Sequence, residues 1–121
     1  MRSNVSVELG KKFQKEFKRL LKKYPSLKDE LVKLREILYT DPKTGTPLGN
    51  SIYKIRLAIK SKGKGKSGGA RVISRVETEI IGVIENNTVT LLTIYDKSEI
   101  SAISKEDIQT LYKEIQKKGH E

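Results

Sequence analysis

The chain has 121 residues, 36% hydrophobic and 33% charged, with 25 Lys and Arg against 15 Asp and Glu for a formal net charge of +10. That length fits a single domain over residues 1–121 with one modest core. The absence of cysteine excludes disulfides, thiolate catalysis and Cys-ligated zinc together, and no apolar run approaches the roughly 20 residues a membrane span needs.

The first residues, MRSNVSVELGKKF, lack the apolar core of a secretion signal, so a cytoplasmic location with no membrane partner is expected. Val5 and Val7 alternate with polar residues, as in a short strand. From Leu9 the period changes. Phe13, Phe17, Leu20, Leu21 and Tyr24 recur at helical spacing, with Lys and Arg on the other face. Pro25 ends that helix, because it lacks an N–H and disfavours a helical residue before it. Ser26, with Asp29 three residues on, reads as an N-cap. Leu27, Leu31, Leu34 and Leu38 then form the stripe of a second helix ending near Thr40. Helices joined so tightly form an antiparallel hairpin.

Asp41–Ser51 (DPKTGTPLGNS) is dense in turn formers and reads as a loop. Tyr53, Ile55, Leu57 and Ile59 alternate with Lys54, Arg56, Ala58 and Lys60, giving a strand with one apolar and one basic face. A Lys/Gly loop covers Ser61–Gly69, and a strand runs from Ala70 to about Ile84, bent near Glu77–Glu79 or bulged at Gly82. Asn86 and Asn87 read as a two-residue hairpin turn. In the return strand Thr88–Tyr95, Leu91 and Leu92 put apolar groups on both faces, as a central strand requires. Ser104 with Asp107 resembles a capping box for a last helix with the stripe Ile108, Leu111, Tyr112 and Ile115. The expected fold is α+β in the order β-α-α-β-β-β-α, an antiparallel meander with helices covering one face.

Charge is concentrated. Between Pro42 and Val76 lie nine basic residues and no acidic one, and the rest of the chain holds 16 basic against 15 acidic residues. Sustained charge of one sign points to a partner of the other, usually nucleic acid. Lys54 and Arg56 leave one strand face, and so do Arg71 and Arg75. If those strands pair, four cations line one surface. Such a surface either holds a phosphate backbone without chemistry or, by crowding, lowers a lysine pKa toward acid–base use.

Other chemistry is poorly supported. GKGKSGG is not a nucleotide-binding P-loop: Lys60 stands where the first glycine belongs, and a strand rather than a helix follows. His120, the single histidine, lies next to the last residue. The carboxylates do not cluster as a metal site requires, so no metal and no cofactor is expected. A phenol is available in Tyr95, within IYDKSE. With Asn86-Asn87 as a strict turn, Thr78 opposes Tyr95, which places Tyr95 on the face of Val76 rather than of Arg71; a single bulge, for which Gly82 is the obvious place, would reverse the face.

The runs KRLLKKYPSLKDEL, DPKTGTPLG, YKIRLAIKSKGKGKSGGARVIS and LLTIYDKSEISAISKEDI, from about Phe13 to Ile115, resemble the RelE/ParE superfamily of type II toxins. The likeness implies a RelE-like, microbial-ribonuclease-like sheet packed on a helical hairpin, with an acidic antitoxin as partner. RelE-like members cleave mRNA on the ribosome, whereas ParE-like members inhibit DNA gyrase. By motif position Lys54, Arg56 and Arg71 match the cations that hold the scissile phosphate, and Lys97 is nearest to a later one. The family tyrosine near the last helix has no counterpart, because Ser98 to Asp107 contains none; Tyr95 is the phenol left for catalysis. Lys60, Lys62, Lys64, Lys66, Arg75 and Lys97 are the expected RNA contacts.

Overall fold

The computed structural model describes residues 2–62, 68–100 and 102–119, except for the side chains of 2, 62 and 114–119. Expectations for Lys64, Lys66 and His120, and for the side chains of Lys62 and Ile115, fall outside these. The described elements are β1 (Arg2–Leu9), α1 (Lys11–Lys23), α2 (Leu27–Thr40), β2 (Thr46–Gly49), β3 (Ile52–Leu57), a single 3₁₀ turn (Lys60–Lys62), β4 (Ala70–Ile81), β5 (Ile84–Asp96) and α3 (Lys105–Gly119). Five strands form one mixed sheet in the order β1-β5-β4-β3-β2, with β1 parallel to β5 and the other pairs antiparallel. The architecture is α+β.

The helical hairpin buries one face of the sheet. Phe13, Leu20, Leu27, Leu34 and Leu38 pack with Ile55, Leu57, Val72, Val89 and Ile94. This is the helical stripe meeting the alternating strand residues, and burial of each large side chain contributes about 1.5–3 kcal/mol. The helices do not all share that face, contrary to expectation. Ile108, Leu111 and Tyr112 of α3 pack with Ile52, Ile73, Leu92 and Tyr95 on the opposite side. The sheet has two apolar faces because Leu91 joins one cluster and Leu92 the other. A central strand covered on both sides follows from that pair.

Three local readings change. Within Asp41–Ser51, Thr46–Gly49 forms the edge strand β2, exposed along its length and paired irregularly with β3. Pro47 hides it from sequence, since proline is tolerated in a strand only at such an edge. The hairpin turn is Gly82-Val83, not Asn86-Asn87: Ile81 pairs with Ile84, and Gly82 has φ 61. A positive φ at the first turn position suits glycine, and it outweighs the turn tendency of asparagine. Asn86 and Asn87 sit inside β5, where Asn4 Nδ2 donates to Asn86 Oδ1 at 3.1 Å and Thr78 Oγ1 to Asn87 Oδ1 at 2.7 Å. Finally, Ser26 makes no side-chain cap. Its Oγ instead accepts the Ser61 N–H at 2.9 Å, and its own N–H donates to Ser61 Oγ at 2.8 Å. The Ser104 cap of α3 does form: the Asp107 N–H donates to Ser104 Oγ at 3.0 Å.

Gly69 shows why the chain enters β4 on a glycine. A β-carbon there would lie 2.1 Å from the Leu57 carbonyl oxygen, a backbone atom that cannot move aside cheaply. Gly69→Ala is therefore expected to lower the unfolding free energy by about 3 kcal/mol, the upper range of overpacking. Urea denaturation measures it, and a loss below about 0.5 kcal/mol would contradict the close approach.

Candidate functional site

Strand register builds the site. β3 and β4 pair with Arg56 opposite Arg71, and β4 and β5 pair with Arg71 opposite Tyr95. Directly opposed residues leave the same face. Arg56, Arg71 and Tyr95 thus form one lateral row across three strands. Lys54, opposite Ile73, and Arg75, opposite Ile52, occupy the next positions on that face. The expected position of Tyr95, on the face of Val76, is overturned. A bulge that shifts the register between Ile73 and Ser74 does it; the move of the turn to Gly82-Val83 slides the pairing by an even number of residues and leaves the face unchanged. Ile73 pairs with Thr93 but Ser74 with Leu91, which leaves Leu92 as the extra residue.

Exposure divides the row. Arg56 is exposed and Lys54 half-buried, whereas Arg71 and Tyr95 are only 4% and 5% exposed. Tyr95 lies in the apolar cluster with Leu111 of α3. Arg71 Nη1 donates to the Ala70 carbonyl at 3.1 Å. Arg75, expected to touch RNA, is engaged within the protein. Its guanidinium lies 4.8 Å from the Tyr112 ring centroid, and its Nη1 is 2.9 Å from Glu77 Oε1. The contact with Tyr112 joins α3 to the sheet, and the pair with Glu77 holds the arginine along β4.

The basic loop is held at its start. The Lys60 N–H donates to the buried Glu30 Oε1 at 2.5 Å, and the Ser26–Ser61 pair adds two bonds beside it. Lys60 itself is exposed. At the far side Lys97 is exposed, and its N–H donates to the Gly69 carbonyl at 3.1 Å just beyond β5. The loop therefore springs from the same end of the sheet as the Arg56–Arg71–Tyr95 row.

Sequence reading missed the groups that fix this end. Asp96 is fully buried. Its Oδ2 accepts the Tyr24 hydroxyl at 2.6 Å, and its Oδ1 accepts the Ser98 N–H at 2.9 Å and Ser98 hydroxyl at 2.7 Å. A buried carboxylate needs such partners, and these lock the residue after Tyr95 in place. A lone acid closing an apolar strand in IYDKSE was the available signal. Lys23 is 3.9 Å from Asp96 Oδ2. Contact with the Tyr24 side chain, its largest influence, raises the Lys23 pKa. Outside the core, Arg19 donates to both Glu99 oxygens, at 3.0 and 2.9 Å, and ties the segment before α3 to α1.

Comparison with known protein families, with curated proteins and with solved structures finds no match. Among the described residues no helix is long and apolar enough to cross a membrane.

The Arg19 hydrogen bond, the largest influence, holds the Glu99 carboxyl below its ordinary range. A depressed folded-state pKa contributes stability above the unfolded value, and that contribution is lost as pH falls through the folded value. Glu99→Gln is expected to cost up to about 1 kcal/mol near neutral pH, the range for an exposed pair. The cost should shrink as pH falls below the ordinary carboxylate range and the folded-state group takes up its proton. Denaturant midpoints of both proteins along that descent test this; a loss that stays the same at every pH would contradict it.

Proposed function

We propose that the chain is the toxin of a type II toxin–antitoxin pair, a cytoplasmic endoribonuclease that cuts mRNA on the ribosome and so halts translation. The observation that carries the reading is the lateral row of Arg56, Arg71 and Tyr95 beside Lys54. Of these, Lys54, Arg56 and Arg71 are the positions that the likeness of KIRLAIKSKGKGKSGGARVI to RelE/ParE toxins matches to the family's phosphate-holding cations, while Tyr95 is a phenol with no counterpart in that pattern.

The row suits phosphoryl transfer without a metal. The 2′-oxygen of the RNA attacks the adjacent phosphorus as the bond from phosphorus to the 5′-oxygen breaks. The products are a 2′,3′-cyclic phosphate and a 5′-hydroxyl. One group takes the 2′-hydroxyl proton and another protonates the leaving 5′-oxygen. Arg56 and Lys54, both reachable, hold the backbone. Arg71 offsets the charge growing on the phosphate oxygens, a preorganised electrostatic role. Tyr95, opposite Arg71, or a lysine of the loop supplies the proton transfer. Lys60 and Lys97 flank the loop as further RNA contacts. Contact of a phosphate with Arg71 and Tyr95 requires their covering to open locally. An acidic antitoxin complements the same face.

The burial of Arg71 and Tyr95 favours a second reading, in which the basic face binds without cutting. DNA gyrase is then the target, as for ParE-like proteins. A plain nucleic-acid-binding module is the remaining form of it, with a salt slope of about −0.7 per single-strand phosphate neutralised.

Induced expression with mapping of mRNA 5′ ends separates these. Wild type should produce new 5′-hydroxyl ends inside coding regions. Arg71→Ala should reduce them by about 100-fold or more, the usual effect of losing a transition-state donor. Growth arrest with no new ends, together with loss of supercoiling by purified gyrase, would move the function to gyrase inhibition.

A further inference from the structure

The cationic face has a second feature beside the row. Between the β2–β3 edge and the start of α3 it opens into a cleft of about 410 Å³. Its lining includes Ile52, Lys54, Lys105, Ile108, Gln109 and Tyr112, with no Asp or Glu among the described residues that form it. That volume falls within the roughly 300–1,000 Å³ of small-ligand pockets.

The lining specifies a ligand chemistry. Two ammonium groups without a carboxylate favour an anion. Isoleucines and a tyrosine favour a flat apolar body over a bare oxyanion. The Gln109 amide, both donor and acceptor, matches the polar edge of a heterocycle. Lys105 is the first residue of α3, whose first turn also holds Glu106 and Asp107. Those carboxylates offset the helix end, but Lys105 lines the cleft and they do not, so its ammonium is the charge that an anion there would meet. Lys54 links the cleft to the row, since it lies two residues from Arg56 on the same strand face.

We infer that this cleft is a nucleotide subsite, taking the base and one phosphate of the RNA residue next to the phosphate held by the row. The inference rests on the ribonuclease reading for its biological substrate. It makes Gln109 and Tyr112 the residues that set base preference, and Lys105 the partner of the neighbouring phosphate. Tyr112 serves both ends, because its ring also carries the Arg75 guanidinium.

The test is a backbone-amide NMR titration of the whole protein. The probes are the adenosine, guanosine, cytidine and uridine 3′,5′-bisphosphates, inorganic phosphate, and a short acidic peptide with leucine side chains. At least one bisphosphate should saturate, shifting the amides of Ile52, Lys105 and Gln109 at concentrations about tenfold below inorganic phosphate, as one added charge-assisted contact set implies. Lys105→Gln should weaken that binding about tenfold, whereas Lys33→Gln, on the exposed side of α2, should leave it unchanged. Gln109→Ala should alter the ranking of the bases. Bisphosphates that bind no better than inorganic phosphate, or an acidic peptide that takes the cleft in preference, would overturn the subsite. If wild type cuts mRNA while no bisphosphate moves the cleft amides, the subsite alone falls. If a bisphosphate fills the cleft of a protein that cuts nothing, the subsite stands and the ribonuclease reading falls.

Discussion

A single extra residue in β5 decides what the cationic face can do. Leu92 is inserted between the Ile73–Thr93 and Ser74–Leu91 pairs. Because strand side chains alternate, one inserted residue reverses every face beyond it. With the bulge, Arg71 opposes Tyr95 and the phenol joins the arginines. Without it, continuing the register from the Gly82-Val83 turn would set Ile94 opposite Arg71, and the row would lose its only proton-transfer candidate. The same bulge sends Tyr95 into the cluster that α3 covers and Ile94 into that of the helical hairpin. The insertion therefore joins the packing of the third helix to the composition of the site.

Two opposing demands meet on that face. Its strand positions carry Lys54, Arg56, Arg71 and Arg75, yet Ile52, Ile73, Leu92 and Tyr95 need apolar cover, which α3 provides. The cations settle this conflict differently. Arg75 becomes part of the packing through Tyr112 and Glu77. Arg71 is enclosed, while Arg56 stays in water. Rigid strands hold them all, and a site built on such elements positions a phosphate better than a loop does. The lysine loop is anchored by Glu30 and the Ser26–Ser61 pair rather than by the sheet.

Much of this was legible in the sequence. Helical spacing in Phe13–Tyr24 and Leu27–Leu38 gave the hairpin, and alternation in Tyr53–Ile59 gave the basic strand face. The paired strands then placed Lys54, Arg56, Arg71 and Arg75 together. What stayed hidden shares one cause: it depends on partners distant in the chain. The Leu92 bulge leaves no local mark, because Leu91-Leu92-Thr93 reads equally well as a regular buried strand. Asn86-Asn87 has the chemistry of a turn, but its amides are taken up by β1 and β4. Whether Arg75 is free or engaged depends on Tyr112, 37 positions away. The side on which α3 packs depends on apolar residues contributed by three strands.

The register is the claim on which the site stands, and it can be read directly in solution. Cross-strand contacts between backbone protons in an NMR spectrum of the labelled protein report which residues oppose one another. Contacts linking Arg71 with Tyr95, and Ile81 with Ile84, are predicted. Contacts linking Thr78 with Tyr95 would put the tyrosine on the other face and contradict the account.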